Sequence, residues 1–302
     1  MSAKDGGRTT RRGSLDQRYL EALARGDAEG AAAVVDDARR RNLTVEEIYL
    51  HMLAPALVEI GARWKARRLS VADEHLASEI TLAEMERLRE RLPAGAADGP
   101  RAVLACVEAE SHAIGLRMLA DFLTIDGWTL DYLGGNVPAA DLVDFVARRT
   151  PAVVALSVTQ VEHLPSLTLV AAALRRLTLA PRILVGGAAL RGRTRAPETF
   201  GIDAVALDAR AGVQEARRLA AAVRGTADAA EDYFQRLGRR VQKLRTARGW
   251  TQQQLADEAG LDRTYISGLE HGKQNPTIGA LLRLARALEA PIDRLVVLGQ
   301  GA

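Results

Sequence analysis

Between Ala102 and Val223 the chain alternates short apolar runs with helical patterns, and this alternation constrains the fold more than any other feature. The apolar runs are Ala102–Val107, Thr129–Leu133, Ala152–Val158, Ile183–Val185 and Ala204–Leu207. Helical periodicity follows at Ile114–Ile125, Ala140–Arg149, Leu164–Leu177 and Gly212–Val223. Strands that alternate with helices form a parallel, doubly wound sheet, here of about five strands, because each crossover helix must cover a sheet face. Ligands of such sheets sit beyond the carboxyl ends of the strands. His112, Gly134-Gly135, Ser157 to Thr159 and Gly186-Gly187 all fall at those ends.

His112 is the most reactive of these residues. It stands in the turn between the first strand and its helix, with Glu110 two residues before it and Gly115 three after. A metal-ligating imidazole needs an acceptor on its other nitrogen to fix the tautomer, and Glu110 has the reach for it. Gly115 leaves the start of the helix open to a bulky group. The lone cysteine, Cys106, lies in the apolar strand and reads as a packed thiol. A single cysteine excludes an intramolecular disulfide and suits a cytoplasmic protein.

The flanking regions are helical. Residues 1–14 are polar and basic and are expected to form a disordered arm. Residues 15–92 read as a four-helix bundle, with Thr44/Glu47 and Ser70/Asp73 opening its third and fourth helices. Residues 93–100 (PAGAADGP) and 224–232 (RGTADAAED) read as linkers. The sheet domain then spans 100–224, and an all-α domain of five short helices spans 233–298. The expected architecture is thus multidomain: a helical bundle, a doubly wound sheet and a small helical domain.

Formal net charge is +3, of which residues 1–14 carry +3 (four Lys/Arg against one Asp) and residues 231–302 another +3 (eleven Lys/Arg against eight Asp/Glu). The remainder is therefore −3. Basic ends on an acidic middle point to an acidic partner, with nucleic acid the first expectation. No apolar run reaches the ~18 residues of a membrane span, so no membrane association is expected.

The motif Glu110-x-His112-x-x-Gly115, then Ser157-x-Thr159, then Gly186-Gly187, resembles the D-x-H-x-x-G…S-x-L/T…G-G pattern of cobalamin-binding domains. Leu133-Gly134-Gly135-Asn136-Val137-Pro138 matches their second strand–helix loop. The resemblance implies that His112 is the lower axial ligand to cobalt. It implies that Ser157 contacts the displaced nucleotide base, and that Gly115, Gly134, Gly135, Val137, Thr159, Gly186 and Gly187 line the corrinoid site with Glu110. Glu110 departs from the commoner Asp by one methylene.

In the bundle, Trp64 is followed after nine residues by Glu74-His75, which resembles the W-x9-E-H pattern of CarH-type cobalamin photoreceptors. The resemblance implies that Trp64, Val71, Glu74 and His75 line a pocket for the 5′-deoxyadenosyl group of adenosylcobalamin. Lys65 stands where that family has a second histidine. A protonated ammonium is no ligand, so bis-histidine coordination after light is not expected at this position. Either water takes the upper site or another residue moves in, with His75 and His51 as the candidates.

Thr251-Gln252-Gln253-Gln254-Leu255-Ala256, Gly260, Ile266-Ser267-x-Leu269-Glu270-x-Gly272 and Asn275-Pro276 are similar to the Cro/repressor (XRE) helix-turn-helix family. That resemblance implies a recognition helix beginning at Arg263 that enters the major groove of an operator. Arg263, Thr264, Tyr265 and Ser267 would face bases, with Arg263 suited to guanine, and Gln252 and Lys273 would touch phosphate. The joint expectation is a light-responsive, adenosylcobalamin-dependent transcription regulator that binds double-stranded DNA as a dimer or tetramer and is not an enzyme. The alternatives are a light-independent sensor of cobalamin or another ligand and, less favoured, a corrinoid methyl carrier.

Overall fold

The structure is a computed structural model. It describes residues 6–90, 92, 99–193 and 195–296, with backbone alone at 6–14, 224 and 226–230. Its contacts divide the chain into two compact units, residues 1–220 and 221–302.

The first unit opens with helices α1 (Gly6–Ala24), α2 (Ala28–Arg40), α3 (Val45–Ile48), α4 (Ala54–Lys65) and α5 (Val71–Arg89). The wider helical turn Tyr49–Leu53 joins α3 to α4, so the two form one rod with a π-type turn inside it. The expected four-helix bundle is present. Thr44 with Glu47 and Ser70 with Asp73 both make reciprocal capping boxes, which satisfy the first amides of α3 and α5. Helix α1 begins at Gly6, so residues 6–14 of the expected disordered arm are helical. Once Leu15–Ala24 has nucleated a helix, each further residue adds a hydrogen bond at low cost. Residues 1–5 of the arm and 93–98 of the first linker lie outside the described residues.

Strands β1 (Arg101–Cys106), β2 (Thr129–Gly134), β3 (Val153–Ser157), β4 (Arg182–Gly186) and β5 (Ala204–Ala206) form one parallel sheet in the order β2-β1-β3-β4-β5. The connecting helices are α6 (Ile114–Ile125), α7 (Ala139–Arg149), α8 (Leu164–Leu174) and α9 (Ala196–Phe200). Strand order reverses at β1, and the His112 loop leaves β1 at that switch point. Register aligns Cys106 with Ser157 and Ser157 with Gly186, so the loops after β1, β3 and β4 emerge at one level.

Alternation along β1 sorts its residues onto two faces. Val103, Ala105 and Val107 pack with α7, α8 and α9. Ala102, Leu104 and Cys106 join a second core that also holds Tyr19, Tyr49, Leu53 and Met85 of the bundle. Bundle and sheet therefore share one hydrophobic core and fall in one compact unit. Cys106 is fully buried and its thiol is pushed up to about 12, chiefly by burial. That is the inert packed thiol expected.

Helix α10 (Ala209–Ala247) runs through residues 224–232, which replaces the expected second linker. The segment has no proline. Ala227, Ala229 and Ala230 favour helix enough to carry Gly225, whose helical penalty is about 1 kcal/mol. The end of α10 with α11 (Gln252–Ala259), α12 (Arg263–Glu270), α13 (Ile278–Ala287) and α14 (Ile292–Val296) builds the second unit. Its core contains Leu237, Val241, Leu255, Ile266, Leu269, Leu284 and Leu288. No helix among the described residues is long and apolar enough to cross a membrane.

The second unit encloses one buried ion pair. Arg245 donates to Glu270 through Nε (2.6 Å) and Nη2 (3.0 Å), and Gln252 Nε2 donates to the same carboxylate (2.8 Å). The Glu270 side chain is wholly buried. Glu270→Ala is expected to destabilise this unit by about 3–5 kcal/mol, because it leaves the Arg245 charge buried without its partner. Urea unfolding followed at Trp250 measures it.

Candidate functional site

The loop after β1 is organised by one carboxylate. Glu110 is fully buried, and both its oxygens are saturated. Oε1 accepts from the His112 amide (2.9 Å) and from His112 Nδ1 (2.5 Å). Oε2 accepts from the Thr159 amide (2.8 Å), the Gln160 amide (3.0 Å) and His163 Nδ1 (3.1 Å). Burial acts to raise this carboxyl, but the donors outweigh it and hold Glu110 down at about 2.

An ionised carboxylate only accepts, so His112 Nδ1 carries a proton, and in the neutral imidazole the lone pair then lies on Nε2. The His112 side chain is 42% exposed. A Cβ at Gly115 would meet nothing within 4 Å, so the helix start beside the imidazole is open. A fixed tautomer, an available nitrogen lone pair and open space fit a large metal-bearing ligand approaching from the strand ends.

The loop is braced from the neighbouring strand end. Asn136 Oδ1 accepts from the Ala109 amide (2.8 Å), and the Asn136 amide donates to the Glu110 carbonyl (2.7 Å). Ala109 and Asn136 both hold positive φ, 70° and 52°. Gly135 lies against the backbone of this loop, where a Cβ would come within 3.3 Å of the Glu110 carbonyl oxygen. Val137 is half-buried and packs against the core that holds Val103, Leu142 and Val146. Gly187 has φ 112°, and a Cβ there would stand 2.0 Å from the Val158 carbonyl oxygen. This glycine thus meets a demand of the chain's own packing. Ser157 is buried at the end of β3, and Gly186 lies beside it on β4.

The structure brings Glu110, His112 and Thr159 together, and adds Gln160 and His163, which the sequence did not single out. His163 follows the Ser157–Thr159 segment, and a histidine in a strand-end loop was the available signal.

The bundle residues lie on α4 and α5. Trp64 is half-buried in the last turn of α4, and Val71 opens α5 at 52% exposure. Glu74 accepts from Ser78 Oγ (3.1 Å) and lies 3.7 Å from His75 Nε2. Among the described residues no hydrogen bond joins this group to the His112 loop. Lys65 and His51 are exposed.

In the second unit Asp262 caps α12 by accepting from the Thr264 amide (2.6 Å) and from the Thr264 hydroxyl. Arg263 and Lys273 are exposed, and Tyr265 and Ser267 are half-buried. Gln252 has one amide proton taken up by Glu270, which limits its expected reach to phosphate.

Residues 100–217 match the B12 binding domain, residues 15–89 match a second B12 binding domain model, and residues 241–295 match the helix-turn-helix model. The chain carries B12-binding domains followed by a helix-turn-helix. The HTH-type transcriptional repressor CarA of Myxococcus xanthus is 35% identical over 143 residues, 47% of this chain and 47% of that protein. The HTH-type transcriptional repressor CarH of the same organism is 39% identical over 106 residues, 35% of each. The chain thus matches about half or less of the length of these relatives. The solved monomethylamine corrinoid protein of Methanosarcina barkeri covers 67% of this chain and 97% of its own, with a TM-score of 0.61 and 18% identity. That likeness shows the bundle-plus-sheet fold of the B12-binding region.

Glu110 supplies a pH test of this geometry. Its pKa is depressed on folding, so its stabilisation is present above its ordinary value of 4.5 and is lost as pH falls toward about 2. Acid unfolding of the first unit is expected to steepen over that window and to flatten there in Glu110→Gln, read by circular dichroism. Gly187→Ala is expected to cost about 3 kcal/mol or more in urea unfolding, given the forced backbone contact.

Proposed function

We propose that the chain is a cobalamin-dependent transcriptional repressor that takes adenosylcobalamin and responds to light. The observation that carries this reading is the imidazole of His112, fixed by Glu110 with Nε2 free, in a chain that also holds a helix-turn-helix. The names of the two Myxococcus relatives supply the direction, repression.

Bound adenosylcobalamin supplies a cobalt–carbon bond that light cleaves. His112 would hold the lower face through Nε2, and Glu110 would fix the tautomer and orientation of the imidazole and raise its basicity as a ligand. Thr159, Gln160 and His163 would keep Glu110 ionised. Trp64, Val71, Glu74 and His75 would receive the adenosyl group, with the indole packing on its flat surface and the Glu74 carboxylate accepting from its polar atoms. Gly134, Gly135, Ser157, Gly186 and Gly187 would border the rest of the corrinoid. Because Lys65 is a cation where a second imidazole would be needed, it would not ligate the cobalt, and water, His75 or His51 would be left to do so.

In the helix-turn-helix, Arg263, Thr264, Tyr265 and Ser267 would face base edges of an operator, and Lys273 a phosphate. One such module makes few phosphate contacts, so useful affinity requires two or more copies on one DNA. A corrinoid methyl carrier, the other reading of the same fold, has no use for the C-terminal module.

Illumination of the chain loaded with adenosylcobalamin is expected to change its visible spectrum and its retardation of operator DNA together. An unchanged spectrum sinks the light reading and leaves a light-independent cobalamin sensor. His112→Ala is expected to abolish lower-face nitrogen ligation in the spectrum, and Glu110→Ala to weaken cobalamin binding about 10- to 100-fold by equilibrium titration. Arg263→Ala is expected to cost about 1–3 kcal/mol of operator affinity and to relax specificity at one base pair, measured by fluorescence anisotropy on substituted operators.

A further inference from the structure

The two helical rods that carry the proposed adenosyl-contacting residues each make a polar contact, at their far ends, with the same side chain of the sheet region. The rod α3–α4 begins near Tyr49 and ends at Trp64-Lys65, and α5 begins at Val71 and ends at Arg89. Tyr49 and Arg89 converge on Asp121 of α6. The Tyr49 hydroxyl donates to Asp121 Oδ2 (2.8 Å), and Arg89 Nε lies 2.9 Å from Oδ1. Asp121 is 1% exposed and Tyr49 is fully buried. The Tyr49 ring also stacks on Phe122, with centroids 5.8 Å apart and planes at 19°.

Helix α6 is the helix that His112-Ala113 leads into, so Asp121 sits about 10 Å along it, at 1.5 Å per residue. Tyr49 lies about 22 Å from Trp64 by the same rise. One carboxylate therefore ties the element behind the proposed lower ligand to both rods that carry the proposed upper contacts. The choice of groups is informative. A buried charged pair stabilises little more than an apolar contact of the same size, but it holds one geometry. Burial pushes the Asp121 carboxyl up to about 6 against the pull of Tyr49 and Arg89, so this contact is maintained against a desolvation cost.

We propose that Tyr49, Arg89 and Asp121 are positioning residues that set the separation between the His112 loop and the cap residues Trp64, Val71, Glu74 and His75. The inference rests on the cobalamin reading for the meaning of that separation, and on the structure alone for the anchor.

Hydrogen exchange on the full chain without cofactor tests the anchor, and adenosylcobalamin titration tests its consequence. Asp121→Leu removes the acceptor; Tyr49→Phe keeps the stack on Phe122 and removes the donor; Asp121→Asn keeps one acceptor oxygen for Tyr49. In the first two variants amides of 45–53 and 114–125 are expected to exchange at least about fivefold faster, with 251–296 unchanged. Their dissociation constant for adenosylcobalamin is expected to rise at least about tenfold, with Asp121→Asn within about threefold of the parent. Unchanged exchange in Tyr49→Phe and Asp121→Leu overturns the anchor. Faster exchange with unchanged affinity overturns the positioning role. A parent chain that takes up no cobalamin counts against the proposed function, and the exchange measurement decides the anchor without it.

Discussion

A buried carboxylate can stay charged only if donors surround it, and Glu110 has five. Two come from His112, two are backbone amides at the end of β3, and one is His163. The consequence is structural before it is chemical. The β1 and β3 loops are tied through one side chain, at the point where strand order reverses. The tautomer of His112, the conformation of residues 107–112 and the closeness of Gly135 all depend on that knot. A neutral group in its place would leave amides without acceptors in a region where water has little access.

Much of this was legible in the chain because it is local. Glu110 and His112 are two residues apart, so their pairing needs only a turn. The strands and their helices show in periods of two and 3.6 residues, and the capping boxes at Thr44 and Ser70 show in a four-residue pattern. What was not legible is held across distance. His163 reaches Glu110 over 53 residues and is unremarkable alone. Asp121 offered a signal, an acid within the apolar stripe of α6, but its partners lie on other helices and nothing local names them. Arg245 and Glu270 are likewise 25 residues apart.

The linker reading of 224–232 failed for a different reason. Glycine, threonine and acids mark a break when alanines are absent. Here the alanines carry the helix through, so composition read residue by residue pointed the wrong way. The opposite lesson comes from Gly187. Expected to line the corrinoid site, it is also required by the Val158 carbonyl oxygen of its own chain. A glycine at a ligand-facing strand end can answer to packing first.

The wide turn Tyr49–Leu53 has a consequence for how the bundle encodes its faces. An α-helix advances about 100° per residue, so the extra residue in a π-type turn offsets everything beyond it by about that angle. Ile48 and Ile60 are both buried, yet they belong to two stripes of different phase rather than to one. The turn therefore acts as a phase shifter. It lets one rod present Tyr49 to α6 and, from the offset half, carry Trp64 to the opposite end. Loss of Leu50 or His51 would let the turn close into regular α-helix and leave the indole at its angle, whereas tightening the turn with all five residues kept would rotate the indole by about a quarter turn about the rod axis.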